Sequence, residues 1–236
     1  MKNRRILSTA LLLLIAAAGC ARRQSNPPLT DDQNKAKGTM DAQMQAAAQT
    51  ASDYHAMDNA ALLSKLLEQS QAQTEYFNSP AYRELKTRTN VDATALVAQV
   101  KANNNAGGLL PLLLLRQLDN QAYQGVPAEM RAHILTDALE NAKYFNSWGL
   151  PDFYLEDAAH ATIEAGKAAT PALKRLLADT RPAPVFGSQE AMISNQSKYR
   201  VCDYALFFLK VIGGQENFRL PESPEERDAL IKQAAR

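Results

Sequence analysis

The chain has 236 residues, long enough to bury a sizeable core without disulfides or metals. Its composition, 46% hydrophobic and 22% charged, is that of a globular protein, and 10 Gly with 7% aromatics beside abundant Ala, Leu and Gln favour helices over sheets. The formal charge of +1 becomes −2 once residues 1–19 are set aside, since they carry Lys2, Arg4 and Arg5 and no acid; a near-neutral chain has no electrostatic reason to hold nucleic acid or anionic lipid.

Met1-Lys2-Asn3-Arg4-Arg5 is a short positive stretch, and Ile6 to Ala18 is apolar apart from Ser8 and Thr9. That run is too short to span a bilayer, which takes about 20 apolar residues. Small residues follow, then Cys20, and the order is that of a secretory signal peptide. The quartet Ala17-Ala18-Gly19-Cys20 resembles the lipobox of bacterial lipoproteins. The resemblance implies that the Cys20 thiol receives a diacylglycerol, that the chain is cut just before it, and that the new amino terminus is acylated, with palmitate among the chains. The family usually carries Leu where this sequence has Ala17. The alternative is an ordinary secretory signal with Cys20 incidental. Two or three acyl chains anchor stably, each buried methylene being worth about 0.8 kcal/mol. Ala21, rather than Asp, follows the cysteine, which in Gram-negative lipoproteins implies sorting to the outer membrane, facing the periplasm.

Residues 21–40 are polar, with Pro27-Pro28, and read as a flexible tether; residues 41–56, rich in Ala and Gln, form at most a marginal helix. Asp58 is the expected N-cap of a helix over Asn59 to Tyr76 with Leu62, Leu63, Leu66 and Leu67 on one face, and Asn78-Ser79-Pro80 breaks it. A short helix starts at Asn90 or Asp92. Leu109 to Leu118 fits a buried helix with Pro111 in its first turn. Pro127 opens a helix to about Tyr144, residues 145–155 form an aromatic loop, and helices follow at about 156–165, 170–179, 198–212 and 224–235. Thr170-Pro171 and Ser223-Pro224 read as N-cap and N1 pairs, and Gly166 and Gly213 sit where C-terminal glycines belong. No convincing strand appears.

Residues 158–179 order a helix, Gly166, Pro171, Leu173 and Leu176-Leu177, and residues 199–213 place Arg200-Val201, Ala205, Leu209, Ile212 and Gly213. Over residues 155–214 this resembles the HEAT-like repeats of α-solenoids. The resemblance implies antiparallel helix pairs, each with an apolar face that only the next pair covers, and a concave surface for proteins or peptides. Residues 180–197 make a longer insertion than such a repeat holds, and an irregular helical bundle is the alternative. Tyr76-Phe77-Asn78-Ser79 recurs as Tyr144-Phe145-Asn146-Ser147, a four-residue match short enough to arise by chance.

No nucleotide-binding glycine motif, Gly-x-Ser-x-Gly elbow, His-Glu-x-x-His or Cys-x-x-Cys is present. His55 and His133 have no patterned partners; Glu156, His160 and Glu164, with Asp157 near, share a helix face that reads better as solvated than as a metal site. Asp31-Asp32 and Glu225-Glu226 carry no catalytic pattern, and Arg227 reads as a surface partner of the second pair, worth under about 1 kcal/mol. Cys202 lies in an apolar helical stretch and reads as a small core residue, without an intrachain partner if Cys20 is lipidated. Tyr144, Phe145, Trp148, Phe153 and Tyr154 form the candidate binding surface. The competing reading, which carries more weight, is that these rings plug a gap between helices. The sequence therefore describes an all-α chain: a lipoprotein signal peptide over 1–19, a lipid anchor and tether over 20–56, and a HEAT-like domain over 57–236. The expected function is that of a membrane-anchored envelope module that binds or scaffolds an envelope protein or peptide, with no catalytic residues, cofactor or metal; a carrier of a small hydrophobic ligand and an envelope enzyme are the alternatives.

Overall fold

The computed structural model describes residues 31–235. The signal-peptide stretch, the quartet ending in Cys20 and residues 21–30 of the expected tether lie outside the described residues. The chain divides into two units, one ending at Gln45 and the other spanning residues 46–236. Helix α1 (Asp31–Ala56) begins within the stretch expected to be tether. The side chains described from residue 42 to 53 are exposed, so this helix buries no apolar stripe there and rests on the helix propensity of its Ala and Gln residues.

In the second unit the chain runs α2 (Asn59–Gln71), α3 (Pro80–Thr87), α4 (Ala93–Ala102), α5 (Leu109–Leu118), α6 (Asn120–Gln124) and α7 (Ala128–Asn141). It continues through β1 (Gly149–Leu150), β2 (Tyr154–Leu155), α8 (Asp157–Ala165), α9 (Thr170–Leu176), α10 (Ser188–Ser197), α11 (Val201–Ile212) and α12 (Pro224–Ala234). The fold is all-α, as the composition implies. One ladder was not foreseen: β1 and β2 pair antiparallel, Gly149 opposite Leu155 and Leu150 opposite Tyr154. Gly149 has a φ of 76°, and an added Cβ would lie 2.5 Å from the Tyr154 carbonyl, so only glycine fits this tight return.

The helix starts follow their capping residues. Asp58 accepts from the Ala61 amide, Asp92 from Thr94 and Ser223 from Glu226. Thr170 departs from expectation: residues Gly166–Ala169 form a 3-10 turn that runs straight into α9, so Thr170 already has helical geometry and caps nothing. α2 stops at Gln71 rather than Tyr76, because Gln73 turns left-handed with a φ of 56°. The helices α3, α6 and α10 were not read from the sequence; each has ten residues or fewer, and α10 sits inside the 180–197 insertion.

The core is centred on α5. Leu110 and Leu112 to Leu115 are buried, and the helix packs on α2, α4 and α7. Each leucine removed from water contributes about 1.5–3 kcal/mol before entropy is counted, enough to hold a short helix with little help from propensity. α7 lies on α8, α9 on α11, and α11 on α12. Arg227 corrects a sequence expectation. It is fully buried rather than on the surface, with Nε 3.2 Å from Asp203 Oδ1 and its other nitrogens donating to the carbonyls of Pro221, Glu222 and Ser197. Cys202 is buried, and burial pushes its thiol up to about 11, so it is a core residue as expected. Among the described residues no helix is long and apolar enough to cross a membrane.

Candidate functional site

The five aromatics of the candidate surface do not act as one. Phe145 and Trp148 are buried at 1% and 2% exposure, whereas Tyr144 and Phe153 stand out at 47% and 58%, with Tyr154 between. Phe145 and Trp148 therefore leave the binding surface and join the core. The cause is the turn after α7. The Phe145 amide donates to the Pro184 carbonyl at 2.8 Å, and the amides of Trp148 and Gly149 fold back on the Phe145 carbonyl. That places the Phe145 ring 4.9 Å from Tyr204 and 5.9 Å from Trp148, and Tyr204 donates to the Gly149 carbonyl at 2.7 Å.

The two Tyr-Phe-Asn-Ser turns, little noticed in the sequence, meet in space. Asn146 of the second copy makes a reciprocal pair of hydrogen bonds with the backbone of Phe186, donating to its carbonyl at 2.8 Å and accepting from its amide at 2.9 Å. This pins the Phe186 ring 5.3 Å from Tyr144 of the same copy and 5.4 Å from Phe77 of the first. Tyr76 of the first copy donates to Glu156, so that acid is engaged rather than free on the His160 face. Ser147, closing the second copy, donates to Glu75, which immediately precedes the first.

Tyr144 and Ser147 of the second turn, with Glu75 just before the first, border a small pocket of about 30 Å³. Glu75, Ser147 and Trp148 line it together with Leu109, Ala142 and the rim residue Lys143. Its chemistry is unusual for so small a space. Burial pushes the Glu75 carboxyl up to about 7, against the hydrogen bonds from the Ser147 hydroxyl and amide that favour its charged form. The Trp148 indole N–H is buried without a hydrogen-bond partner among the described residues. A perturbed acid and an unspent donor around one cavity mark a site by physical chemistry rather than by motif. Glu75 was missed because nothing in its local pattern sets it apart; the recurring Tyr-Phe-Asn-Ser was the only signal near it.

Phe153 occupies a different place. It sits with Asp152 and Arg219 at an open groove of about 630 Å³ that also takes in Tyr199 and Ile193. A neighbouring depression of about 310 Å³ brings His160 near Asp152 and Glu216, but among the described residues His160 makes no hydrogen bond to either acid. The other members of its helix face are committed elsewhere: Arg116 pairs with Glu164 at 2.5 Å and with Asp157 at 3.5 Å. Among the described residues no group of His, Cys, Asp and Glu could hold a metal ion. His133 is exposed on α7, and His55 lies 3.1 Å from Glu84. The Leu109–Leu118 stretch is packed interior for most of its length, and the pocket at its start is far below the 300 Å³ or so of an ordinary ligand site, which counts against the hydrophobic-carrier alternative. Comparison of the chain with protein-family models, with curated proteins and with solved structures returns no match.

Proposed function

We propose that this chain is an exported lipoprotein, anchored through lipid on Cys20, whose helical domain binds a protein partner in the cell envelope through the aromatic edge around Tyr144. Anchoring rests on the positive stretch, the apolar run and the quartet ending in Cys20. In a cell with two membranes, Ala21 directs it to the outer membrane, facing the periplasm. The HEAT-like resemblance of residues 155–214 belongs to the same reading and supplies a scaffold on which such a surface is held rigid.

The observation that carries the binding role is the Tyr144–Phe186–Phe77 row, whose Tyr144 also lines the Glu75 pocket. Tyr144 is exposed, yet its ring is held edge-on to Phe186 by a neighbour whose backbone Asn146 clamps. An exposed aromatic fixed before binding loses little entropy when a partner covers it. Two measurements test the proposal. Cys20→Ala should abolish acyl incorporation and leave unprocessed precursor; normal maturation and release of that variant would overturn the anchor. A photo-cross-linking residue at Tyr144 in intact cells should capture one envelope protein, and Tyr144→Ala should weaken recovery of that partner by about tenfold. Co-purification of that partner that is unchanged by Tyr144→Ala would refute this surface.

A further inference from the structure

The pocket beneath Tyr144 holds an acid that no cation among the described residues pairs with. Among the described residues the one hydrogen-bonding partner of the Glu75 carboxylate is Ser147, and no Lys, Arg or His forms an ion pair with it. Lys143 lines the rim of the pocket and is exposed, and it forms no ion pair with Glu75. Tyr204, whose phenol feels the Glu75 charge, is fully buried and spends its proton on the Gly149 carbonyl. An isolated carboxylate withdrawn from water is costly unless a cation meets it.

We infer that this pocket receives a primary alkylammonium group, presented as the end of a lysine side chain by the protein partner of the domain. The inference rests on the binding-module reading and names the chemistry of its anchor point. Three features select this group. The charge is complementary. The walls beside the acid, Leu109, Leu110, Ala138 and Ala142, suit a methylene stem, and the Tyr144 ring at the mouth suits a cation passing its face. The small volume, about 30 Å³, suits the compact ammonium head of lysine better than the broad planar guanidinium of arginine. Lys143 at the rim disfavours a second positive residue beside the inserted lysine.

Trp148 is the single tryptophan of the chain and lines the pocket, so its emission reads the site without a label. The full chain should be titrated at pH 8 with Nα-acetyl-lysine methylamide, its norleucine and arginine counterparts, and n-butylamine. The lysine amide should give a saturable change, with the norleucine and arginine amides at least about tenfold weaker. Glu75→Gln should abolish the response. Ala142→Leu, which narrows the pocket and leaves the acid in place, should abolish it too, and separates loss of the cavity from loss of the charge. No saturable change with the lysine amide, or an equal one with norleucine, overturns the inference. Tighter binding of n-butylamine than of the lysine amide overturns the protein source and assigns the site to free amines. Cross-linking at Tyr144 that succeeds beside a flat titration keeps the binding module and removes only its lysine anchor; a normal titration beside failed cross-linking removes the module as the source of the lysine.

Discussion

Arg227 and Asp203 form a fully buried ion pair, Nε to Oδ1 at 3.2 Å, that joins α12 to the first turn of α11. Neither is alone. Arg200 approaches Asp203 from the other side at 3.0 Å and reaches Asp228 at 2.8 Å, and the Arg227 guanidinium lies 5.4 Å from the Tyr199 ring. One carboxylate thus serves two guanidiniums, while the Arg227 guanidinium also ties the segment before α12, through the Pro221 and Glu222 carbonyls, to the C-terminal end of α10 at Ser197. Removing a member of a buried pair strands the other, which costs about 3–5 kcal/mol. Urea unfolding should rank Asp203→Ala as most damaging, Arg227→Ala close behind, and Arg200→Ala well below both, because Arg200 keeps contact with water. Equal effects for Arg200→Ala and Arg227→Ala would contradict the burial of the pair.

Glu75 gives the opposite expectation. Its carboxyl is raised from 4.5 to about 7, so the folded protein holds a proton that the unfolded chain releases across that interval. Stability therefore falls as pH rises from about 4.5 to 7 and is flat above, the unfolded state binding fewer protons within the window. Glu75→Gln keeps an acceptor for Ser147 and cannot ionise. It should leave stability unchanged near pH 4 and raise it by on the order of 2 kcal/mol at pH 8. Thermal melts of both proteins at the two pH values decide this; a variant that is less stable at pH 8 contradicts the buried-acid account.

The fold was legible where a segment buries a continuous apolar face. Leu109 to Leu118 is bounded by asparagines and glycines before it and Asp119 after it, and the observed helix has the ends that pattern predicts. Asp58, Asp92 and Ser223 likewise mark helix starts because their caps are local chemistry. The elements missed were short and depend on partners far along the chain. α3 carries Ala81, Tyr82 and Leu85 inward but has only eight residues in which to show a period. Arg227 looked like a surface residue because Asp203, its partner, lies 24 positions earlier and no local rule joins them. The site was half legible for the same reason. An aromatic cluster was visible in 144–154, but which rings face inward is set by the Pro184 carbonyl and Phe186, some 40 residues away.

That division of the aromatics can be measured. Phe145→Ala and Trp148→Ala each open a cavity among packed rings and should cost about 3–5 kcal/mol. Tyr144→Ala and Phe153→Ala remove exposed side chains and should change stability by less than about 0.5–1 kcal/mol. Chemical denaturation of the four variants tests this directly. Four similar values would mean that the aromatic loop is either wholly buried or wholly surface, and both contradict the arrangement found here.

Thiol accounting joins the anchor to the fold. Cys202 is the free cysteine of the described residues; it is 1% exposed and its thiol is raised to about 11 by burial, with Asp203 beside it adding to the effect. A neutral, inaccessible thiol does not attack a disulfide reagent, since the thiolate is the nucleophile. If Cys20 carries lipid, the native mature protein should therefore release no colour from an aromatic disulfide reagent at pH 8, and one equivalent should appear on unfolding. Cys202→Ala should then give none under either condition. An unmodified Cys20 within reach of the reagent would react in the native state and raise the total to two. A rapid native equivalent that survives Cys202→Ala would show Cys20 free and defeat the lipid anchor, whereas a single slow equivalent tied to unfolding supports both the anchor and the packing of α11.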